Sequence, residues 1–325
     1  MINRGMRIAA ALLCLLFLPL FGLAEDVVEE VVLPDYEPLP MDDFTFGHTA
    51  PEENFTEDGY EDATLSIRVE KIVTDTGTWN VAHVRIVHPS QLRTVVTAKG
   101  KTNKISTMAR ASRAVLAIGG EYFASDEGGF IVRMGKVIQS RKTPYETRDL
   151  LCIDENGDFH ILVRKRDAKN NGRSKSINPE FAAQLKRLTA EHTLVNVFDF
   201  GPALIIDGVV QPLPDTYAFN LKHREPRCAI GQVGPLEYVV VVVDAARDGK
   251  SGATYEELAA FMAEQGCVQA YNLDGGNTSE MIFCGPADEY GKLTTRLYFE
   301  GDQVAGDRQQ KDIIYFATAV PESEW

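Results

Sequence analysis

From Thr64 onward the chain is dominated by short runs in which apolar and polar residues alternate. Leu65, Ile67 and Val69 alternate with Ser66, Arg68 and Glu70, which predicts a half-buried strand over residues 65–73. Similar runs predict strands at 81–87, 114–118, 130–134, 136–139, 150–153 and 159–163, with tight turns at Gly135 and Asn156-Gly157. Residues 238–243 are as apolar as a buried strand. Three helices are predicted. Ser106 can cap a short one reaching Ser112. Asn178-Pro179 supplies a cap and a first-turn proline ahead of Phe181, Leu185 and Leu188. Thr254-Tyr255-Glu256-Glu257 forms a capping box before Leu258, Phe261 and Met262, with Gly266 as the stop. Strands outnumber helices and do not alternate strictly with them. The expected fold class is therefore α+β, with a mixed, largely antiparallel sheet and about three helices in a single domain over residues 64–325.

Composition refines that picture at the N-terminus. Arg4 and Arg7 precede an apolar run over residues 8–22, and Gly22-Leu23-Ala24 places small residues where a signal peptidase cuts. Residues 1–24 read as a signal peptide cleaved after Ala24, too short and too interrupted by Pro19 to anchor in a bilayer. The expected location is secreted, periplasmic or cell-envelope. The formal charge of −14 is concentrated in residues 25–63, which hold fourteen Asp and Glu, no Lys or Arg, and prolines 34, 38, 40 and 51. That segment reads as a disordered acidic linker. The rest, signal peptide aside, has 31 basic and 33 acidic residues, so nothing favours a nucleic-acid partner. After Ala24 no run is long enough to span a membrane, and four cysteines remain, none in a C-x-x-C pair, so no metal or other cofactor is expected.

The densest chemistry lies in Asn272-Leu273-Asp274-Gly275-Gly276-Asn277-Thr278-Ser279-Glu280-Met281, where an apolar approach ends in a carboxylate, two glycines and short polar side chains. On its own it reads as a hairpin with a polar turn. If Asp274 to Asn277 is the bend, Leu273 faces Thr278 and Cys267 falls opposite Cys284, within reach of a disulfide; two separate buried thiols are the alternative.

Four other segments accompany the motif: Ala117-Ile118-Gly119-Gly120-Glu121-Tyr122-Phe123; Phe200-Gly201-Pro202-Ala203-Leu204-Ile205 with Asp207-Gly208; Pro226-Arg227-Cys228-Ala229-Ile230-Gly231; and Val243-Asp244-Ala245-Ala246-Arg247. In this order and spacing, over roughly residues 64–320, the chain resembles the phosphodiester glycosidase family, whose bacterial members are often linked to exopolysaccharide biosynthesis. Gly119 stands where that family usually has asparagine, and Asp244-Ala245-Ala246-Arg247 is a looser form of its Asp-Gly-Arg.

The resemblance implies hydrolysis of a sugar-1-phosphodiester in an envelope or extracellular glycan. Such a reaction passes through an oxocarbenium-like state that a carboxylate stabilises, while the phosphate needs a cationic clamp. Asp274 and Glu121 are then the candidate catalytic carboxylates, although Glu121 also fits a simple loop charge. Arg227 and Arg247 are candidates for the phosphate, with His223 as an extra donor, and Gly275, Gly276, Asn277, Thr278 and Ser279 for binding. A phosphodiesterase attacking phosphorus, or a glycan-binding module without activity, would use the same residues differently.

Overall fold

The computed structural model describes residues 37–43, 47–99, 101–121, 129–140, 148–164, 179–215, 217, 221–245, 250–287, 293–297 and 309–321. The expected signal peptide lies outside them. Among these residues no helix is long and apolar enough to cross a membrane.

Strand β1 (Gly59–Glu61) leads into β2 (Leu65–Thr74) and β3 (Gly77–Ile86), a hairpin paired from Leu65↔Ile86 to Thr74↔Gly77. The predicted alternation holds: Leu65, Ile67 and Val69 are buried while Arg68 faces out. β4 (Leu92–Val96), α1 (Ile105–Ala111) and β5 (Leu116–Gly119) follow. Ser106 lies inside α1 and does not cap it; Lys104 holds the cap position without a side-chain bond. Next come β6 (Phe130–Arg133), β7 (Lys136–Ser140), β8 (Leu150–Asp154), β9 (Phe159–Leu162) and α2 (Pro179–Glu191), which starts at the expected proline. β10 (Leu194–Asp199), β11 (Ala203–Ile206), β12 (Val209–Val210), β13 (Arg227–Gly234) and β14 (Glu237–Asp244) precede α3 (Tyr255–Glu264). The chain continues through β15 (Gln269–Leu273), β16 (Met281–Ala287), β17 (Leu293–Leu297) and β18 (Asp312–Phe316).

The strands form three sheets, in the orders β1-β2-β3-β14-β13-β15-β11-β12, β7-β6-β10-β8-β9 and β17-β16-β5-β18-β4. Every ladder among the described residues is antiparallel, so the expected parallel admixture is not seen there. The inner faces share one core: Ile67, Val84, Ile230, Val240 and Val242 from the first sheet meet Leu151 and Phe198 from the second and Leu116, Phe283 and Phe316 from the third. Each outer face is covered by one helix. α3 sets Leu258, Ala259 and Met262 on Val81, Val239 and Val241; α1 sets Ile105 and Met108 against Ala117, Ile282 and Ile313. α2 covers Val132, Cys152 and Val197 with Leu188, helped by half-buried Phe181 and Leu185. This layering explains the unbroken apolar run of β14, whose valines are enclosed on both faces. Each such side chain contributes roughly 1.5–3 kcal/mol through its removal from water.

Two expectations are corrected. The acidic stretch is not a linker as far as residue 63, because its described part packs on the domain. Tyr60 and Leu39 are buried, β1 pairs with β2, and the Arg93 guanidinium donates to the carbonyls of Pro40 and Asp43. One of its carboxylates is satisfied without a basic partner. Asp62 accepts from the Thr64 and Leu65 amides, the Thr64 hydroxyl and the Tyr60 phenol, at 2.6–2.9 Å.

The hairpin across the glycine motif is also absent. β15 pairs with β13 and β11, and β16 with β5 and β17, so the motif carries the chain from the first sheet to the third. Cys267 therefore packs under α3 and Cys284 under α1, and both are free thiols.

Candidate active site

The crossover is held by backbone contacts to two distant segments. The Asp274 amide donates to the Gly120 carbonyl at 3.2 Å, and the Gly276 amide to the Pro226 carbonyl at 2.9 Å. Gly275 lies so close to this second segment that a Cβ would sit 2.7 Å from the Pro226 oxygen. Beyond it, Gly276–Thr278 forms one tight 3-10 turn, closed by the Thr278 hydroxyl on the Gly275 carbonyl at 2.7 Å. Asp274 and Asn277 are half-buried and Ser279 is fully buried. A side chain on Gly119 would collide with Gln310, whose carboxamide occupies that space and donates to the Thr278 carbonyl at 3.1 Å. Three buried polar atoms on these connected segments lack a hydrogen-bond partner: Asn272 Oδ1, Ser279 Oγ and Gln310 Oε1. Such atoms are costly, and each calls for an explanation.

Asp274 does not stand alone. β13 and β15 pair as far as Cys228 opposite Leu273, and a Cβ on Gly275 would lie 3.4 Å from the Arg227 Cα, so Asp274 and Arg227 stand at adjoining ends of the two strands. The Arg227 guanidinium lies 3.9 Å over the Tyr255 ring, with Nε on the Ala253 carbonyl at 3.0 Å and Nη2 on the His223 carbonyl at 2.6 Å. Two donors of the expected phosphate fork are thus spent on backbone, and among the described residues Nη1 makes no hydrogen bond. Burial lowers the Arg227 pKa, opposed by Tyr255 and Glu225.

Tyr255 is the first residue of α3, directly after the Thr254 capping box. Its phenol is pushed up mainly by burial and also by the Asp274 and Glu225 carboxylates, while Arg227 and the Asn272 amide pull it down. Asn272 is in turn aimed by the Gly201 carbonyl, which accepts from its Nδ2 at 2.8 Å. Asp274, Arg227, Tyr255 and Asn272 therefore form one electrostatic unit. Sequence reading missed Tyr255 because the capping box already accounted for its segment. A phenol one residue inside a helix start, following an apolar-free cap, was the available signal.

Glu121 is placed differently from its sequence role. Its side chain is enclosed, with Oε1 3.2 Å from Arg133 Nη2 and Oε2 accepting from the Asp199 amide. Arg133 also donates to Asp312 Oδ2 through Nε at 2.9 Å and Nη2 at 2.6 Å, and stacks 3.9 Å over Phe198. Asp312 in turn accepts from the Glu121 amide at 3.0 Å. Two carboxylates share one guanidinium out of water, so burial first, and then Asp312 and Asp199, raise the Glu121 pKa against the pull of Arg133. Glu121 is suited to bracing the Gly119-Gly120 segment, whose carbonyl holds Asp274. His223 is exposed and its backbone, through the carbonyl, anchors Arg227. Arg247 lies outside the described residues.

The family model described as phosphodiester glycosidase matches residues 112–316. Among solved structures the chain is similar to the catalytic domain of zebrafish N-acetylglucosamine-1-phosphodiester alpha-N-acetylglucosaminidase, auto-inhibited by its pro-peptide. Identity is 14% and the TM-score 0.54, over 86% of this chain and 91% of that one. A hypothetical protein from Synechocystis aligns at 16% identity and TM-score 0.44, over 78% and 62% of the two chains. The SPbeta prophage-derived uncharacterized protein YomE of Bacillus subtilis (strain 168) is 33% identical over 85 residues, which is 26% of this chain and 13% of that protein's length. At 14% identity the zebrafish structure bears on the fold alone.

Proposed function

Because this chain belongs to the phosphodiester glycosidase family, we propose that it is an exported hydrolase that cleaves sugar-1-phosphodiesters in an envelope or extracellular glycan. The observation that carries this reading is the meeting of Asp274, Arg227 and Tyr255 at the sheet crossover. The Asp274 carboxylate lies against the anomeric carbon and stabilises the oxocarbenium-like state as the C1–O bond breaks. Arg227, already oriented by two carbonyls, offers Nη1 to the departing phosphate, and the Asn277 amide and Ser279 hydroxyl at the 3-10 turn contribute further donors. Water adds to C1, giving a free sugar and a phosphomonoester. Export is supported by the charged and apolar pattern of residues 1–24.

Turnover of a synthetic sugar-1-phosphodiester in heavy-oxygen water tests the reaction. Label in the sugar is expected. Label in the phosphate would overturn the assignment in favour of attack at phosphorus, and binding without turnover across a panel of such diesters would favour a glycan-binding module.

A further inference from the structure

Away from the crossover, the β8–β9 turn and the end of α2 bring together a second set of polar side chains. Among the described residues one group of His and carboxylate donors converges: Asp154, His160 and His192, whose donor atoms all lie within 4.8 Å of one another. Asp154 ends β8, His160 sits on β9, and His192 directly follows the last residue of α2. The Asp154 side chain is enclosed and its two oxygens have separate tasks. Oδ1 accepts from the amides of Asn156 and Asp158 at 2.8 and 3.0 Å, which fixes the carboxylate in the turn. Oδ2 faces His160 Nε2 at 3.0 Å and His192 Nδ1 at 3.0 Å.

Two imidazoles on one carboxylate oxygen are more than a proton needs. His160 forms a hydrogen bond with it, whereas His192 Nδ1 is a buried atom without one, despite its closeness. The rings lie 4.8 Å apart at 42°, so two cationic imidazoles would repel each other. Tetrahedral zinc with bonds of about 2.0–2.1 Å separates its donors by about 3.3 Å, a few tenths beyond the two distances found here. The carboxylate is already held by backbone amides, as the outer contacts of a metal site usually require. Glu155 Oε1 stands 4.0 Å from His192 Nδ1 and is a fourth donor within reach, while its other oxygen accepts from the Thr193 amide.

We propose that Asp154, His160 and His192 bind one zinc ion, which staples the end of α2 to the β8–β9 hairpin. No reaction step is involved. Helix α2 is the element that gains. Its cluster has only five buried members, and Leu188 is the one that α2 itself supplies. A metal bridge therefore reinforces the helix with the smallest apolar footing. Imidazole and carboxylate donors suit zinc, and the converging group contains no thiol, although Cys152 lies opposite His160 in the β8–β9 ladder.

Untagged full-length protein, stripped with a chelator, should take up one zinc per chain by calorimetric titration and melt at a higher temperature when loaded. Cobalt in its place should give visible bands of a four- or five-coordinate ion without a thiolate charge-transfer band. X-ray absorption should find only nitrogen and oxygen near 2.0 Å and no sulfur at about 2.3 Å. His160→Gln and His192→Gln, both at partly exposed positions, should each weaken binding at least about tenfold. Absence of binding, binding that both substitutions leave unchanged, or a sulfur shell would overturn the proposal. The absorption measurement uses the unsubstituted chain and so decides the matter even if a variant misfolds.

Discussion

At the scale of single residues, the proposed site divides into groups assigned to the substrate and groups that hold them in place. Asp274→Asn keeps the shape and the backbone bond to Gly120, so turnover should fall by orders of magnitude while the melting temperature stays near that of the parent. Retention of near-normal rates would remove Asp274 from the mechanism. Arg227→Lys should also be impaired, because an ammonium cannot bridge two carbonyls and still reach a phosphate. Glu121 offers a test of pH dependence. Its folded pKa lies above its ordinary value of 4.5, so the native state keeps a proton that the unfolded chain has lost. Stability from this group is therefore complete below about 4.5 and declines as pH rises through the raised value. Glu121→Gln should flatten that decline in denaturant titrations run at successive pH values; an unchanged slope would show that Asp312 or Asp199, shifted in the same direction, carries the proton. Asp274 and Arg227 could be nominated from the sequence because each sits in a compact motif. The guanidinium of Arg133 was not, since the Asp312 carboxylate it binds lies 179 residues away in sequence.

At the scale of elements, local pattern served well where one face alone is buried. The alternation of β2 and the capping box of α3 both appear as expected. It failed where long-range contacts decide. Charge and proline content suggested that residues 25–63 could not order themselves, yet Leu39, Ala50, Phe55 and Tyr60, with one short strand, dock the described part. Tyr60 packs in the shared core, edge-on to Phe55 at 4.8 Å between ring centroids. A chain beginning at Ala63 should therefore unfold at a clearly lower temperature, and Tyr60→Ala should cost about 3–5 kcal/mol by chemical denaturation. Equal stability of the shortened and complete chains would restore the linker interpretation.

At the scale of the whole molecule, the sequence could foretell many antiparallel strands but not their division into three sheets. Period-two patterning says which residues of a strand face inward, and nothing about which strand lies alongside. The hairpin expected across Asp274 was the local solution for a glycine-rich turn. The observed solution sends the two flanking strands to different sheets, because the amides of Asp274 and Gly276 find their acceptors on Gly120 and Pro226. That seam has a consequence for how the protein fails. A carboxylate carried on one loop of one sheet could drift while the rest stayed folded. Here its position is defined jointly by segments at the ends of β5, β13 and β15, so no one of them can loosen without dragging the others. Catalytic geometry and tertiary structure should then disappear in a single cooperative event, and a half-active, partly melted form has no structural basis.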